Sequence, residues 1–447
     1  MIGEERVLEV LKEGLAQAPA EAEVVFTGGK ESLTRCSQSQ IHQNVAQEDY
    51  TIYVRVAEGK RTGVVQVNQL DAKVIAQAAQ RALTIARRQP ENPYFQGFPS
   101  PASYQPTHTY HPGVAEFGPQ RRAEVLKEVF SRAAPQGVQL AGAFSLFEGE
   151  IAVVNTNGLS AYQPLSGAEV SLVFMSDQGM SRVEAFARTP QEIDFPGLTE
   201  RGLARCFLDK NQAELPPGEY TVILEPPCVA EVLDWLSFTA FGSQAFLAGT
   251  SFLSGAIGKR ALGENITIYD SAWEPEAQGL PFDFEGWPKR KVMLVEGGVN
   301  RGVVFDRVSA AKAGAEPTGH AGPPGSPWGA VPWNLCLAPG DSSLEEMIAG
   351  CRRGILVSHF HYVNGYLDTK RALMTGMTRY GTFLVEDGQI TQALKNLRWT
   401  ESMLKALSNV VAISRERTVL PRWGGAAFSI VPALMIEGFT FTGVQRE

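Results

Sequence analysis

The chain is 447 residues long, 44% apolar and 20% charged, with a formal net charge of −8. That length is too great for one core and implies two or more domains. The acidic balance carries no Lys/Arg stripe of the kind a nucleic-acid surface needs, and no run approaches the ~18 apolar residues that span a bilayer, so both partners are excluded.

In chain order, MIGEERVLEVLKEGL reads as an acidic amphipathic helix with Val7, Leu8, Leu11 and Leu15 on one face. It lacks the basic start, apolar middle and small-residue cleavage site of a signal peptide. Five scattered cysteines, never spaced C-x-x-C, point to neither a disulfide framework nor a zinc knuckle and fit a reducing cytoplasm. Strand-like runs follow at residues 23–27, 32–36, 50–56 and 63–67, with Glu58-Gly59-Lys60 as a hairpin turn. A helix begins behind Asp71 as N-cap, with Val74, Ile75, Ala78, Ala82 and Ile85 on its apolar face.

Residues 90–112 hold six prolines among aromatic residues and read as an irregular, surface-hugging connection. Then the grammar repeats. A helix starts near Pro119, strands follow at residues 140–147, 151–155, 169–175 and 182–187, and a helix runs over 197–208. Helix, antiparallel strands, helix, given twice, implies one mixed domain over residues 1–210 built from two similar halves.

Residues 209–218, with Pro216-Pro217, mark the boundary to a second domain over 217–447. It opens with a strand at 220–224 and a long helix at 228–246. Hairpins are expected around Glu296-Gly297-Gly298, between strands at 292–295 and 303–305, and around Glu386-Asp387-Gly388, because Asp-Gly tolerates positive φ. A short helix is expected to start at Asp341, with Glu345 capping it. Residues 316–333 form a Pro- and Gly-rich loop of a length that is usually functional. The expected fold class is α+β: an N-terminal mixed sheet-and-helix domain and a C-terminal, mainly antiparallel β domain with a long helix.

Three groups of residues could carry chemistry. His359 and His361 sit in an alternating strand, which puts them on one face with Ile355, Val357 and Val363, about 6–7 Å apart. Asp368 or His320 could complete a metal site; alternatively both rings bond to backbone or water on a partly buried face. Glu231 and Asp234, one helical turn apart, could serve acid–base chemistry, but they read more simply as the solvated edge of a helix buried through Val232, Leu233, Leu236 and Phe246. The run from Gly249 to Lys259 is not a phosphate loop, because Gly258-Lys259 is followed by Arg260. It reads as a ledge, Gly249, Thr250, Ser251, Gly255 and Gly258, where an extended peptide backbone can approach. No G-x-S-x-G occurs, and no cysteine has a nucleophile's context.

Several stretches of the second domain carry a resemblance. They are Gly249-Thr250-Ser251 running on to Gly258; residues 295–306 leading into Glu316-Pro317-Thr318-Gly319-His320; and Asn334-Leu335 through Pro339-Gly340-Asp341 to Gly354-Ile355. Met374-Thr375-Gly376-Met377-Thr378-Arg379, followed by residues 383–388, adds a fourth. Together with the first-domain pattern they resemble the TldD/TldE (PmbA) family of metallopeptidase-related proteins over nearly the whole chain.

The resemblance implies a two-domain α+β protein that dimerises around an internal cavity and acts on short or unfolded peptides. In catalytic members a helical His-Glu-x-x-x-His and a C-terminal cysteine hold zinc, and the glutamate activates water. Members of the TldE kind lack these ligands and pair with a catalytic subunit. With Glu231 at the motif glutamate, the two histidine positions hold Ala230 and Trp235, and residues 419–430, where the cysteine belongs, contain none.

The resemblance therefore implies a TldE/PmbA-like, non-catalytic subunit of a cytoplasmic TldD/TldE-type peptidase complex. It implies no cofactor in this chain, zinc in a TldD-like partner, and a heterodimer or homodimer. Peptide contacts are expected at Gly249, Thr250, Ser251, Gly255, Gly258, His320 and His361, with the 316–333 loop at the cavity mouth. The alternatives are a self-sufficient metal-dependent peptidase using His359, His361 and Asp368, or a binding or regulatory protein without a peptidase link, such as the gyrase regulator an older family label suggests.

Overall fold

The computed structural model describes residues 1–208, 210–422 and 427–444. Asp209, the first residue of the expected domain boundary, and residues 423–426, within the stretch expected to hold the family cysteine, lie outside the described residues.

The first half follows the repeated grammar. α1 (Glu4–Leu15), β1 (Glu21–Ser37), β2 (Gln40–Glu58), β3 (Arg61–Val67) and α2 (Ala72–Ala86) are answered by α3 (Pro119–Ala133), β4 (Gln139–Asn155), β5 (Ser160–Met175), β6 (Met180–Ala187) and α4 (Phe195–Leu208). The strands form one antiparallel six-stranded sheet in the order β3-β2-β1-β4-β5-β6, so the two halves meet at β1 and β4. Each half buries its own helices: Val24, Phe26 and Ile52 pack against α1 and α2, while Leu140, Phe144 and Val170 pack against α3 and α4.

Runs expected as separate strands at 23–27 and 32–36 are one strand. Gly28 and Gly29 look like a break, yet a Cβ on Gly29 would lie 2.0 Å from the Glu148 carbonyl oxygen of β4. Glycine here permits close strand approach rather than ending the strand. Asp71 caps α2 as expected, accepting from the amides of Lys73 and Val74. The buried face of α2, however, is Ala72, Ile75, Ala78, Ala79, Ala82, Leu83 and Ala86, and Ile85 is exposed.

The second half is mainly antiparallel β. Its elements are β7 (Gly218–Leu224), α5 (Pro226–Thr239), α6 (Ser243–Leu247), β8 (Ile268–Asp270), β9 (Val292–Glu296), β10 (Val299–Asn300), α7 (Arg307–Ala313), β11 (Asn334–Leu337) and α8 (Leu344–Gly350). They continue with β12 (Arg353–Asp368), β13 (Leu373–Glu386), β14 (Gln389–Ala393), β15 (Leu397–Ser402), α9 (Met403–Ser408), β16 (Val410–Pro421) and β17 (Phe428–Val444). The eleven-stranded sheet runs β10-β9-β8-β11-β17-β15-β13-β12-β7, and β7 also pairs with β17. The strands β7, β12, β13, β15 and β17 therefore close into a barrel filled by Trp399, Phe439, Phe441, Ile355 and Val357. Among the described strands, only the ladders β11–β17 and β12–β7 are parallel.

The expected long helix is two helices, since Ala240 leaves helical geometry at φ −129 and α6 restarts behind Gly242. The short helix starts later than expected: Ser343 caps it and Glu346 completes the capping box, so Asp341 and Glu345 do not have those roles. The Asp387-Gly388 turn is as read, with φ of 47 and 79. The earlier hairpin closes through β9 and β10, and residues 303–305 are not a strand.

Among the described residues the two sheets share no ladder, but the halves are packed together. The far face of the first sheet (Val25, Ile151, Val153) lies on Leu280, Phe282 and Phe284 of the second half. The 90–112 connection spans this seam: Phe98 is buried, Pro99 accepts from Asn155, and the Tyr104 hydroxyl donates to the Gly286 carbonyl. Among the described residues no helix is long and apolar enough to cross a membrane.

Candidate functional site

α5 starts with Pro226-Pro227, whose fixed φ suits a first helical turn where a missing N–H costs nothing. One side of the helix, through Val229, Val232, Leu233 and Leu236, is buried in the barrel cluster. The other side presents Glu231, Asp234, Trp235 and Phe238 to a cavity of about 330 Å³, closed by Trp328 of the 316–333 loop and Tyr366 of β12.

The rings define its shape. Trp235 and Tyr366 meet edge to face at 5.3 Å, and Phe238 meets Trp328 at 5.3 Å. Trp235 can lie flat against β12 only because residue 365 is glycine: a Cβ there would stand 2.8 Å from the indole.

Two carboxylates and one guanidinium set the electrostatics. Asp234 pairs with Arg422, whose guanidinium also donates to the Ser237 hydroxyl and to the Pro332 carbonyl at 2.9 Å. Burial still pushes the Asp234 carboxyl above its ordinary range, with Arg422 opposing. Burial, reinforced by Asp234, raises the Glu231 carboxyl too, while a hydrogen bond from Trp235 opposes the shift. Among the described residues no Lys, Arg or His lies within ion-pair distance of Glu231. Both acids are half-buried in this cavity and not on the solvated helix edge that their spacing suggested.

These residues do not fit a zinc ion. Ala230 offers no donor atom, Trp235 offers only an N–H, and Asp234 is taken by Arg422. Among the described residues no group of three or more His, Cys, Asp or Glu could hold a metal.

The histidine pair behaves differently from its sequence pattern. β12 shifts register against β13 between Val357 and His359 and again between His361 and Asn364. A one-residue slip reverses the faces of a strand, so Phe360, not His359 or His361, joins Ile355, Val357 and Val363 at the barrel core. The ring of Phe360 lies 4.6 Å from that of Trp399. His359 is 6% exposed and turns to the seam between the halves, 3.4 Å from Glu184. His361 accepts from Arg379 at 2.6 Å; burial and that guanidinium both push its pKa down, which describes a neutral ring. Asp368 caps the next turn by accepting from the Arg371 amide. The fallback metal set of His359, His361 and Asp368 is therefore not assembled.

Two expected peptide contacts are also corrected. His320 has no exposure; its ring bonds to Asp270 at 2.8 Å and to the Thr318 carbonyl at 2.9 Å, so it anchors the loop from inside. Ser251 is 2% exposed, with its hydroxyl donating to the Ala240 carbonyl. Gly249, Gly255 and Gly258 take φ of 73, 71 and 81, the left-handed region that favours glycine, and they face open space. The Gly258 amide is already used by Asn300. Thr250 is exposed, and its carbonyl accepts from Thr369. Trp235 was singled out only as a missing ligand, and Phe238, Trp328, Tyr366 and Arg422 had no motif to single them out. The signal for the rings was an excess of aromatic residues beside a glycine- and proline-rich loop, and Arg422 had none.

Residues 217–443 match the model of the PmbA/TldA metallopeptidase C-terminal domain, and residues 22–86 match that of the same family's domain 1. The chain belongs to the PmbA/TldD family. A metalloprotease of Methanothermobacter thermautotrophicus is 27% identical over 205 residues, 45% of this chain and 44% of that protein. A zinc metalloprotease TldD homolog of Saccharolobus solfataricus is 27% identical over 206 residues, 44% of each. The chain thus spans less than half the length of either relative. The fold is that of TldE from Thermococcus kodakarensis, with a TM-score of 0.88 at 21% identity, covering 98% of this chain and 100% of that one. In this family member the helix α5 turns aromatic rings and two carboxylates, and no imidazole, toward its cavity.

Proposed function

We propose that this chain is a TldE-like subunit, without a zinc centre of its own, of a cytoplasmic TldD/TldE-type complex that acts on short or unfolded peptides. The reading rests on α5, where the resemblance puts Ala230 and Trp235 at the two histidine positions and neither side chain can ligate zinc. Likeness of fold to a TldE over the whole chain, and relatives named as zinc metalloproteases, support it. The zinc would then belong to a TldD-like partner, and this chain would wall the chamber and guide substrate. The ledge would then rest on the uncrowded turns at Gly249, Gly255 and Gly258 and on the exposed Thr250 side chain, because the Thr250 carbonyl and the Gly258 amide are already bonded.

The test is co-purification with a histidine-bearing family member, combined with elemental analysis of each chain. The expected result is a mixed complex that cleaves unfolded peptide, with zinc in the partner and well under one equivalent in this chain alone. Stoichiometric zinc and peptidase activity in the isolated chain would overturn it.

A further inference from the structure

We propose that the α5 cavity binds a cationic group of a peptide, an ammonium held between the rings of Trp235, Phe238, Trp328 and Tyr366 and the carboxylate of Glu231. This rests on the subunit reading and names what such a subunit would grip at its metal-free helix.

Charge points to a cation. Of the three charged groups lining the cavity, Asp234 and Arg422 neutralise each other, which leaves Glu231 with no ion-pair partner in the lining; it has a hydrogen bond from Trp235 and a weak attraction to Arg182 outside the lining. Arg422 has its charge paired with Asp234 and is further held by Ser237 and Pro332, so it offers a peptide carboxylate no uncompensated positive charge. An anion would also meet Glu231 and the negative faces of the rings. A purely apolar ligand would strip water from Glu231 and leave its charge with only the Trp235 hydrogen bond, which is costly. A cation satisfies both features, since aromatic faces attract it and the carboxylate pairs with it. Burial and Asp234 raise the Glu231 carboxyl despite the hydrogen bond from Trp235, which fits an acid that a cation in the cavity would stabilise.

Size and access agree. About 330 Å³ is the low end for ligand pockets and suits one side chain or a chain terminus. Trp328 and Tyr366 are 48% and 53% exposed, so two of the walls also form an open mouth. A lysine side chain and a free N-terminal amine share the required chemistry.

Calorimetry with three alanine-based peptides separates them: one blocked at both ends with a central lysine, the same peptide with norleucine, and an all-alanine peptide with a free amine. At least one cationic peptide is expected to bind about tenfold more tightly than the norleucine peptide, and which one does so identifies the source. Glu231→Gln should abolish that preference with circular dichroism unchanged, and Tyr366→Leu, at the exposed mouth, should weaken the cationic peptide several-fold. Equal binding of the norleucine peptide, or a preference that survives Glu231→Gln, overturns the proposal. No binding by any peptide overturns it too, while co-purification with a histidine-bearing partner leaves the subunit reading intact. A lysine preference without any such partner would do the reverse.

Discussion

Asp270 and His320 meet at 2.8 Å in the interior of the second half, both with no solvent exposure. The other oxygen of Asp270 accepts from the amides of Trp333 and Asn334 at 2.7 Å, and Lys289 lies 3.5 Å from the carboxylate. One buried acid therefore holds both ends of the 316–333 loop that roofs the α5 cavity. Asp270→Ala should leave Lys289 buried without a counter-ion and free both loop ends, at about 3–5 kcal/mol. Urea unfolding measures the loss. Limited proteolysis should show cleavage within 316–333 under conditions where the parent chain resists; an unchanged loop with unchanged stability would contradict the anchor.

The same cluster predicts a pH dependence. Burial, helped by Lys289, pushes the pKa of His320 below its ordinary 6.5, although Asp270 pulls the other way. Burial alone would raise the Asp270 carboxyl, but Lys289 and His320 outweigh it and hold the acid well below its usual range. Asp270 thus stays ionised throughout the window in which His320 titrates. A depressed folded-state pKa contributes stability that is present above the unfolded value and lost as pH falls through the folded one. Stability should decline below pH 6.5, by at most about 1.4 kcal/mol per pH unit for this one proton. His320→Asn should flatten that part of a pH series of urea midpoints; a variant that keeps the full slope would remove His320 as the cause.

Arg55 joins the two halves. Its guanidinium donates to Glu23 at 2.8 Å and to Glu285 of the second half at 3.2 Å, and it lies 5.2 Å from the ring of Phe98. Burial raises the Glu23 carboxyl to about 7 even with Arg55 beside it. Arg55→Met should cost about 3–5 kcal/mol at neutral pH, because two buried acids lose their cation. A raised folded-state pKa gives stability that is present in acid and lost as pH rises through it, so the defect should be larger at pH 8 than at pH 5. Adding Glu23→Gln should restore part of the loss at pH 8, as read by thermal unfolding at both pH values.

How much of this was legible beforehand follows the range of the interaction concerned. The Asp71 cap, the Asp387-Gly388 turn and the doubled helix–strand–helix grammar depend on a few neighbouring residues, and all are as read. The α+β class follows from them. What was missed depends on distant chain. Gly28-Gly29 looks like an interruption until β4 lies beside it. The faces of His359 and His361 reverse because β12 slips against β13, which no local alternation reveals. His320 looks like an exposed loop histidine until Asp270, fifty residues earlier, is folded against it. At the site, absent zinc ligands were visible at Ala230 and Trp235, but the aromatic cavity was not. It is gathered from α5, the 316–333 loop and β12, and those are brought together only by the barrel.

Gly365 gives the most direct check of that gathering. It is a buried residue of β12, and a Cβ placed on it would stand 2.8 Å from Cε3 and 3.0 Å from Cδ2 of Trp235. Its φ lies outside the left-handed region, so an alanine is strained by space alone and not by backbone conformation. Gly365→Ala should therefore push the indole away from β12, into or across the cavity. Overpacking of this kind costs about 1–3 kcal/mol, little enough for the chain to stay folded. Trp235 should become more solvent-accessible, which acrylamide quenching of the difference between Gly365→Ala and Gly365→Ala/Trp235→Phe would register. Any peptide that occupies the cavity should bind several-fold more weakly, whatever its charge. If stability, quenching and peptide affinity all stayed at their parental values, the close packing of Trp235 on β12 could not be what shapes the site.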